Sequence, residues 1–480
     1  MNSFRWLLSL LALSVVTHSA ENKAPRPNIL FCIADDWSWP HAGAYNDKVV
    51  KTPVFDRIAR EGALFQNAFC AAPSCTPSRA AILTGRVVHQ LDEGADLWGF
   101  LPSRFETYPD ALERAGYFVG HTGKGWGPGN FQAGGRARNP AGPAFKTLEG
   151  FLEKRPKDKP FCFWYGSQDP HRPYERGAGA QLGLKPDHVN VPGFWPDTSE
   201  VRGDVLDYYS EVERCDRSVG ALLKLLEERG ELDNTIVIFT SDNGRPFPRC
   251  KANLYDGGTR MPLAIRWPKK IKAGTRIESF VNLQDIAPTM LEIAGLTPPT
   301  EMVGRSLVPL FTGLEQDGSR PMVFLERERH ANVRQGDLSY PVRAVRTKEF
   351  LYIRNLRPEL WPAGDPEMWK AVGEFGDCDA GPTKEIILAH RAELQMKAFF
   401  QLCFGLRPAE ELYDVRNDPE QTNNLAGTSK FLDTQRELRR ELDAWMRRTA
   451  DPRLRPGDER FDKAPYFGNA VRMPPKAAAQ

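Results

Sequence analysis

Three aspartates and an asparagine stand in two tight groups, Asp35-Asp36 and Asp242-Asn243, and offer oxygen ligands only. A hard cation suits such a set, Ca2+ first and Mg2+ as the alternative, whereas zinc would ask for nitrogen or sulfur. Without a cation, carboxylates brought together would repel one another and push one pKa up. Basic residues accompany them. Arg79 follows Cys75 by four residues, one helical turn, so the two side chains face the same way. Lys124 leaves the end of an apolar run, and Lys251 lies a short loop beyond Asn243. A metal ion with three cations would hold an anionic group whose transfer depends on positioning and electrostatics. Asp-Asn-Gly is also a common turn former, so the chemistry depends on what brings these groups together.

Four apolar runs could do so: Asn28–Ala34, Tyr117–Gly120, Phe161–Tyr165 and Thr235–Thr240. Their hydrophobicity is continuous rather than alternating, as strands covered on both faces require. Between them lie helical patterns closed by glycine: Val54–Glu61 before Gly62, Pro109–Ala115 before Gly116 and Asp204–Arg229 before Gly230. Strands alternating with helices predict an α/β domain around a mostly parallel sheet flanked by helices. Each strand ends in a polar cluster: Asp35-Asp36, then His121-Thr122-Gly123-Lys124, Asp169-Pro170-His171-Arg172 and Asp242-Asn243-Gly244. Ligands of open α/β sheets bind beyond the carboxyl ends of the strands, so four separate runs point to one edge. His121 itself reads as a structural strand-end histidine.

The 480-residue chain as a whole sets the frame. Net charge is +2, so no overall field argues for nucleic acid or a membrane surface. Arg5, the apolar stretch Trp6–Val16 and the small pair Ser19-Ala20 read as a secretory leader over 1–20, predicting export to the periplasm or medium. No later window is apolar enough to span a bilayer. Eight cysteines without a C-x-x-C pair suit neither a disulfide scaffold nor zinc, and Cys32 and Cys162 read as reduced core residues. The catalytic α/β domain is expected over 21–315. A smaller α+β domain over 316–451 would contain strands at Pro321–Leu325 and Val342–Ile353 and a helix at Phe431–Arg448, followed by a loose tail over 452–480.

The stretch Cys75-Thr76-Pro77-Ser78-Arg79, running into Ala80–Arg86, resembles the maturation signature of type I sulfatases. The likeness extends over residues 27 to about 450 through Ala34-Asp35-Asp36, Thr122-Gly123-Lys124, Asp169-Pro170-His171 and Ser241–Gly244. Pro246-Phe247-Pro248, Asn253-Leu254-Tyr255, His171-Arg172 and Ser339–Arg343 resemble the heparan N-sulfatase (sulfamidase) branch. The resemblance implies an alkaline-phosphatase-like fold with Ca2+ on Asp35, Asp36, Asp242, Asn243 and residue 75. It also implies a maturation enzyme that converts Cys75 to Cα-formylglycine. The hydrated aldehyde would attack sulfur and form a covalent sulfate hemiester, then expel sulfate through its second hydroxyl. Arg79 would orient the hydrate, Lys124 and Lys251 would bind sulfate oxygens, and His171 would protonate the leaving atom. The implied substrate is the N-sulfate of glucosamine in a heparin-like glycan, with Asp169, Arg172, Tyr340 and Arg343 as sugar contacts. Tyr340 and Arg343 could equally serve domain packing, and His89 could line the pocket or end a helix. A homodimer is compatible with the resemblance.

One position departs from the pattern. Sulfatases commonly place a histidine two residues after the lysine, and here that residue is Trp126. Another base, Lys124 itself or slow turnover would follow, and sulfate release becomes the exposed step. Three other readings remain: a carbohydrate O-sulfatase on the same scaffold, a phosphoesterase of the wider superfamily, and a glycan-binding protein that has lost catalysis. The phosphoesterase would want two metals and histidine ligands.

Overall fold

The computed structural model describes residues 26–367 and 373–468, so the expected leader over 1–20 and the end of the expected tail lie outside it. The larger sheet contains β1 (Asn28–Ala34), β2 (Ala63–Phe69), β3 (Phe118–Gly123), β4 (Phe161–Gly166), β5 (Thr235–Ser241), β6 (Arg260–Met261), β7 (Leu263–Arg266) and β8 (Thr275–Asn282). Their order is β3-β4-β1-β5-β7-β2-β6, with β8 beside β2. The four apolar runs form the β3-β4-β1-β5 block, and all its pairings are parallel. Beyond β5 the sheet turns mixed, because β7 runs antiparallel to both β5 and β2.

Every residue of β1 is buried, and its side chains alternate between two cores as the period-2 pleat demands. Leu30, Cys32 and Ala34 pack with Phe55 and Ile58 of the helix Pro53–Glu61 and with Val205, Val212 and Val219 of the long helix Ser199–Glu228. Ile29, Phe31 and Ile33 pack on the other face with Ala80, Ile82 and Leu83 of the helix Cys75–Thr84 and with Ile286 and Met290 of Ile286–Ile293.

A separate antiparallel sheet comprises β9 (Met322–Arg327), β10 (Val342–Thr347), β11 (Phe350–Asn355) and β12 (Glu410–Asp414), ordered β12-β11-β10-β9. The single run expected over 342–353 is thus a hairpin. Helix Leu432–Arg448 covers this sheet through Leu438, Leu442, Trp445 and Met446, with Trp445 stacked on Phe324 at 5.1 Å.

The segment after 451 is not loose as far as it is described. Phe461 is buried among Ala71, Ala72, Ala81 and Val88. Arg357 grips Asp462 at 3.0 and 2.8 Å, and Phe467 N donates to Trp98 O. One aromatic anchor and an ion pair override a polar, Pro-rich composition. All eight cysteines are free and buried. Among the described residues no helix is long and apolar enough to cross a membrane.

Candidate active site

Register places the acidic groups. β1 and β5 are parallel with Ala34 opposite Ser241, so the next residues, Asp35-Asp36 and Asp242-Asn243, emerge side by side. Asp36 takes a left-handed backbone (φ 78°), which Asp tolerates better than most residues. Its N–H donates to Asp242 Oδ1 at 3.1 Å, and Asn243 Nδ2 donates to Asp36 Oδ1 at 2.6 Å. On the other side of β1, Gly123 of β3 lies opposite Gly166 of β4. A Cβ on Gly166 would collide with the backbone of Lys124, so this close crossing, which sets where Lys124 leaves the sheet, requires glycine.

Cys75 opens a helix whose ten residues are all buried and which ends at Gly85 in the left-handed conformation. Cys75 Sγ lies 3.4 Å from Asp35 Oδ1. One turn on, Arg79 donates from Nε to Asp242 Oδ2 (2.7 Å) and from Nη1 to the carbonyls of Lys124 (2.8 Å) and Gly125 (2.9 Å). Lys124 Nζ meets Asp35 Oδ2 at 2.6 Å, and Lys251 Nζ meets Asp36 Oδ2 at 2.8 Å. His171 Nε2 is 3.8 Å from the same Asp36 oxygen, with its ring partly open to solvent. The structure therefore brings together all nine residues expected to hold the metal or act in catalysis.

Electrostatics follow from this packing. Burial opposes charge on Asp35, but Lys124, His171, Arg79 and Lys251 outweigh it and hold its carboxyl below the usual range. Burial pushes Asp36 up beyond what Lys251 and His171 offset, and Asp35 and Asp242 add like charge. Burial likewise raises the Cys75 thiol well above its ordinary value. An unmodified Cys75 is consequently a protonated thiol and a poor nucleophile.

The oxygen set fits a hard cation. One ligand atom each from Asp35, Asp36, Asp242 and Cys75 lie within 4.8 Å of one another. Asn243 Oδ1 is buried beside them with no donor, an expensive orphan unless a ligand satisfies it. Arg79 Nη2 is a second buried atom without a hydrogen-bond partner.

Four expected sugar contacts are engaged elsewhere. Asp169 receives both Nε (2.8 Å) and Nη2 (2.6 Å) of Arg214. Arg172 donates to Asp204 (2.7 Å) and to Pro246 O, and its guanidinium lies over the rings of Tyr174 and Phe247. Tyr340 is buried and donates to Asn355 Oδ1. Arg343 is fully buried and spends its donors on Asp451, Glu328 and the carbonyls of Arg327 and Val342. These four side chains shape walls and junctions rather than offering free polar groups. His89 is buried against Glu326 at 2.7 Å, away from a pocket-lining role. His121 holds Gly142 O, as its structural reading implies. Trp126 is buried in the core and its backbone brackets Asn139, so no imidazole stands there.

Sequence reasoning missed two groups, which come from the loops after β9 and β11. Asp379 Oδ2 lies 3.2 Å from Lys251 Nζ, and its carboxylate shares one 4.8 Å neighbourhood with Asp36 and His171. Burial opposes its charge, but Lys251, His171 and His330 hold its pKa at about 2. His330 is buried with Nδ1 2.8 Å from Ser74 Oγ, next in sequence to Cys75, and burial lowers its pKa to about 4. Both lie in loops without periodicity. The only sequence signals are the charged run Glu326–His330 after an apolar strand and the Asp377-Cys378-Asp379 cluster before Gly381.

A parallel-sheet edge carrying an oxygen-only metal set and three cations around a buried cysteine defines a hydrolase of anionic esters or amides. The sulfatase family model matches residues 27–135 and 143–296, and a model described as N-sulphoglucosamine sulphohydrolase, C-terminal, matches 250–367. The chain belongs to the sulfatase family. It is similar to the human N-sulphoglucosamine sulphohydrolase, at 30% identity over 88% of this chain and 91% of the relative. An ulvan-active sulfatase of Formosa agariphila is 29% identical over 93% and 79%, respectively. Among solved structures, BT4656 in complex with its substrate D-glucosamine-2-N,6-O-disulfate superposes with a TM-score of 0.63. It is 22% identical and covers 89% of this chain and 99% of that one. At that identity the likeness speaks for the fold alone.

Proposed function

We propose that this sulfatase removes sulfate from a sulfated sugar, best the N-sulfate of a glucosamine residue in a heparin-like glycan. The observation that carries the reading is Cys75, 3.4 Å from Asp35 at the start of a buried helix and ringed by three carboxylates and three cations. Its thiol is too basic to act as it stands. Conversion by an external maturation enzyme to formylglycine would supply a hydrated aldehyde nucleophile. Asp35, Asp36, Asp242 and Asn243 would hold Ca2+, which would supply positive charge beside residue 75.

The residues themselves have separable tasks. Arg79, fixed by Asp242 and two carbonyls, turns Nη2 toward Asp35 at 3.7 Å, beyond hydrogen-bond reach, and orients residue 75. Lys124 meets Asp35 and Lys251 meets Asp36, and both offer point charges for sulfate oxygens. His171, partly open and next to Asp36, delivers a proton to the leaving atom. Export, expected from the leader, agrees with an extracellular glycan as substrate.

The match over 250–367 to a model described as N-sulphoglucosamine sulphohydrolase, C-terminal, supports N-sulfate. A carbohydrate O-sulfatase is the second reading, favoured by the nearly equal similarity to an ulvan-active sulfatase. Parallel desulfation assays on N-sulfated and 6-O-sulfated glucosamine separate the two, with N-sulfate expected to be hydrolysed faster. Mass spectrometry of the Cys75 peptide from the native host tests the common basis. Intact cysteine throughout would sink the catalytic reading.

A further inference from the structure

Asp379 reaches the site from a segment between β11 and β12 that belongs to none of the four strand-end clusters. The segment is rigidly held. Arg334 Nη2 donates to Asp377 Oδ2 at 2.7 Å, Arg327 pairs with the same oxygen, and Ala331 N donates to Asp377 Oδ1 at 3.0 Å. Lys384 Nζ binds the carbonyls of Phe375 (3.0 Å) and Cys378 (2.8 Å), and Phe375 is buried in the larger core. The chain therefore fixes a carboxylate here without using that carboxylate as the anchor. Its surroundings define its reach. Lys251, assigned to sulfate oxygens, lies 3.2 Å away, and His171, assigned to the leaving atom, falls within the same 4.8 Å neighbourhood. Asp379 Oδ2 is buried and paired with Lys251 Nζ. Its side chain is 30% exposed overall, so it can meet a ligand. Asp379 thus neighbours both the group assigned to sulfate oxygens and the group assigned to the leaving atom.

A carboxylate at that point distinguishes two chemistries. In a sulfamate, R–NH–SO3−, the bridging nitrogen carries a hydrogen. When the S–N bond breaks, its electron pair goes to nitrogen, which takes a proton and leaves as an amine able to become ammonium. In a sulfate ester the bridging oxygen carries no hydrogen before cleavage, and an acceptor beside it is unpaired and repulsive.

We propose that Asp379 is a specificity-determining residue that accepts a hydrogen bond from the bridging N–H of an N-sulfated sugar and disfavours O-sulfate. This rests on the N-sulfate reading above. The test compares the matured, metal-loaded wild-type enzyme with Asp379→Asn on N-sulfated and 6-O-sulfated glucosamine. The substitution preserves size and removes charge. The expected result is a fall of about 10- to 100-fold in kcat/KM for the N-sulfate, with the 6-O-sulfate unchanged or improved. Asp379→Glu restores part of the preference. A purely structural role, acting through the position of Lys251, lowers both substrates equally and overturns the proposal. So does an unchanged ratio. A wild-type enzyme active only on the ester overturns the N-sulfate reading itself, whereas an N-selective wild type with an indifferent Asp379→Asn variant overturns the role of Asp379 alone. Should Asp379→Asn not fold, Asp379→Ser read by the same ratio decides the matter.

Discussion

Two buried ion clusters in this protein have nearly the same composition and opposite character. Beside the Cys75 helix, Asp35, Asp36 and Asp242 face Arg79, Lys124 and Lys251. Where the small sheet meets the end of that helix, Glu326, Glu328 and Asp451 face Arg343, Arg453 and His89. In the second cluster two guanidiniums do most of the work. Arg343 spreads its donors over Asp451, Glu328 and two carbonyls, and Arg453 forks onto Glu328. Glu326 is closed by the N–H groups of Val88 and His89 and by the His89 ring. In the first cluster two of the cations are lysines, Lys124 on Asp35 and Lys251 shared by Asp36 and Asp379, and Asn243 Oδ1 and Arg79 Nη2 are left without hydrogen-bond partners. Buried charge that is fully hydrogen-bonded serves structure, while buried charge with vacant valence is held ready for a ligand. Net charge alone would not have told them apart.

The contrast can be broken most sharply at residue 75. Cys75→Ala removes the candidate nucleophile and touches none of the ion pairs. Activity on the sulfated sugar is expected to fall by at least about 10³-fold, with little change in melting temperature. A melting temperature that collapsed alongside activity would make the Cys75 cluster structural like its counterpart. Arg343→Met should give the reverse pattern. Removing one partner strands Asp451 and Glu328 in the interior, and stability should drop by roughly 3–5 kcal/mol. Denaturant unfolding measures this, and the fraction that remains folded should retain its turnover number.

Much of the catalytic cluster could be read from the chain, because its placement depends on local rules. Continuous apolar runs identify the four parallel strands, and parallel register then forces Asp35-Asp36 beside Asp242-Asn243. The four-residue step from Cys75 to Arg79 is a helix property. The counterpart cluster was unreadable for the opposite reason. Arg343 and Asp451 are 108 residues apart, and an arginine in a strand looks the same whether it will meet a sugar or a buried aspartate. Asp169 and Arg172 misled similarly, since their partners Arg214 and Asp204 lie on a long helix whose register against the loop no pattern announces. In the sheet, β2 escaped because Gln66 and Asn67 interrupt its apolar run.

Ligand response gives a smaller but more specific comparison. If Asn243 Oδ1 awaits a hard cation, Ca2+ should raise the melting temperature and EGTA should lower it. At 100 times Kd the gain is about 2.7 kcal/mol. Asn243→Ala should shrink the Ca2+ response, whereas Arg343→Met, though less stable, should keep it. A response to Mg2+ but not Ca2+ would reassign the ion, and no response to either would leave the orphaned oxygen unexplained by metal.

The smallest effect concerns pH and belongs to the satisfied cluster alone. Burial opposes charge on His89, but Glu326 at 2.7 Å and Asp451 at 3.8 Å outweigh both burial and the repulsion of Arg343, and its pKa is raised. A folded pKa above the unfolded value of about 6.5 means that the charged pair contributes fully below that value. The contribution disappears as pH rises through the folded pKa. Wild type should therefore lose melting temperature across this window relative to His89→Gln, at about 2–4 °C for each kcal/mol if the chain unfolds as domains of 150–250 residues. Other groups titrate in both proteins, so the difference between the two curves is the quantity to read. It should be greatest at the acid end and close as His89 loses its proton. Parallel curves would mean that the pKa of His89 does not change on folding, and a wild type that gained on the variant with rising pH would mean that His89 is neutral in the folded protein. The cluster would then have two cations against three carboxylates, and one of those acids would have to carry a proton.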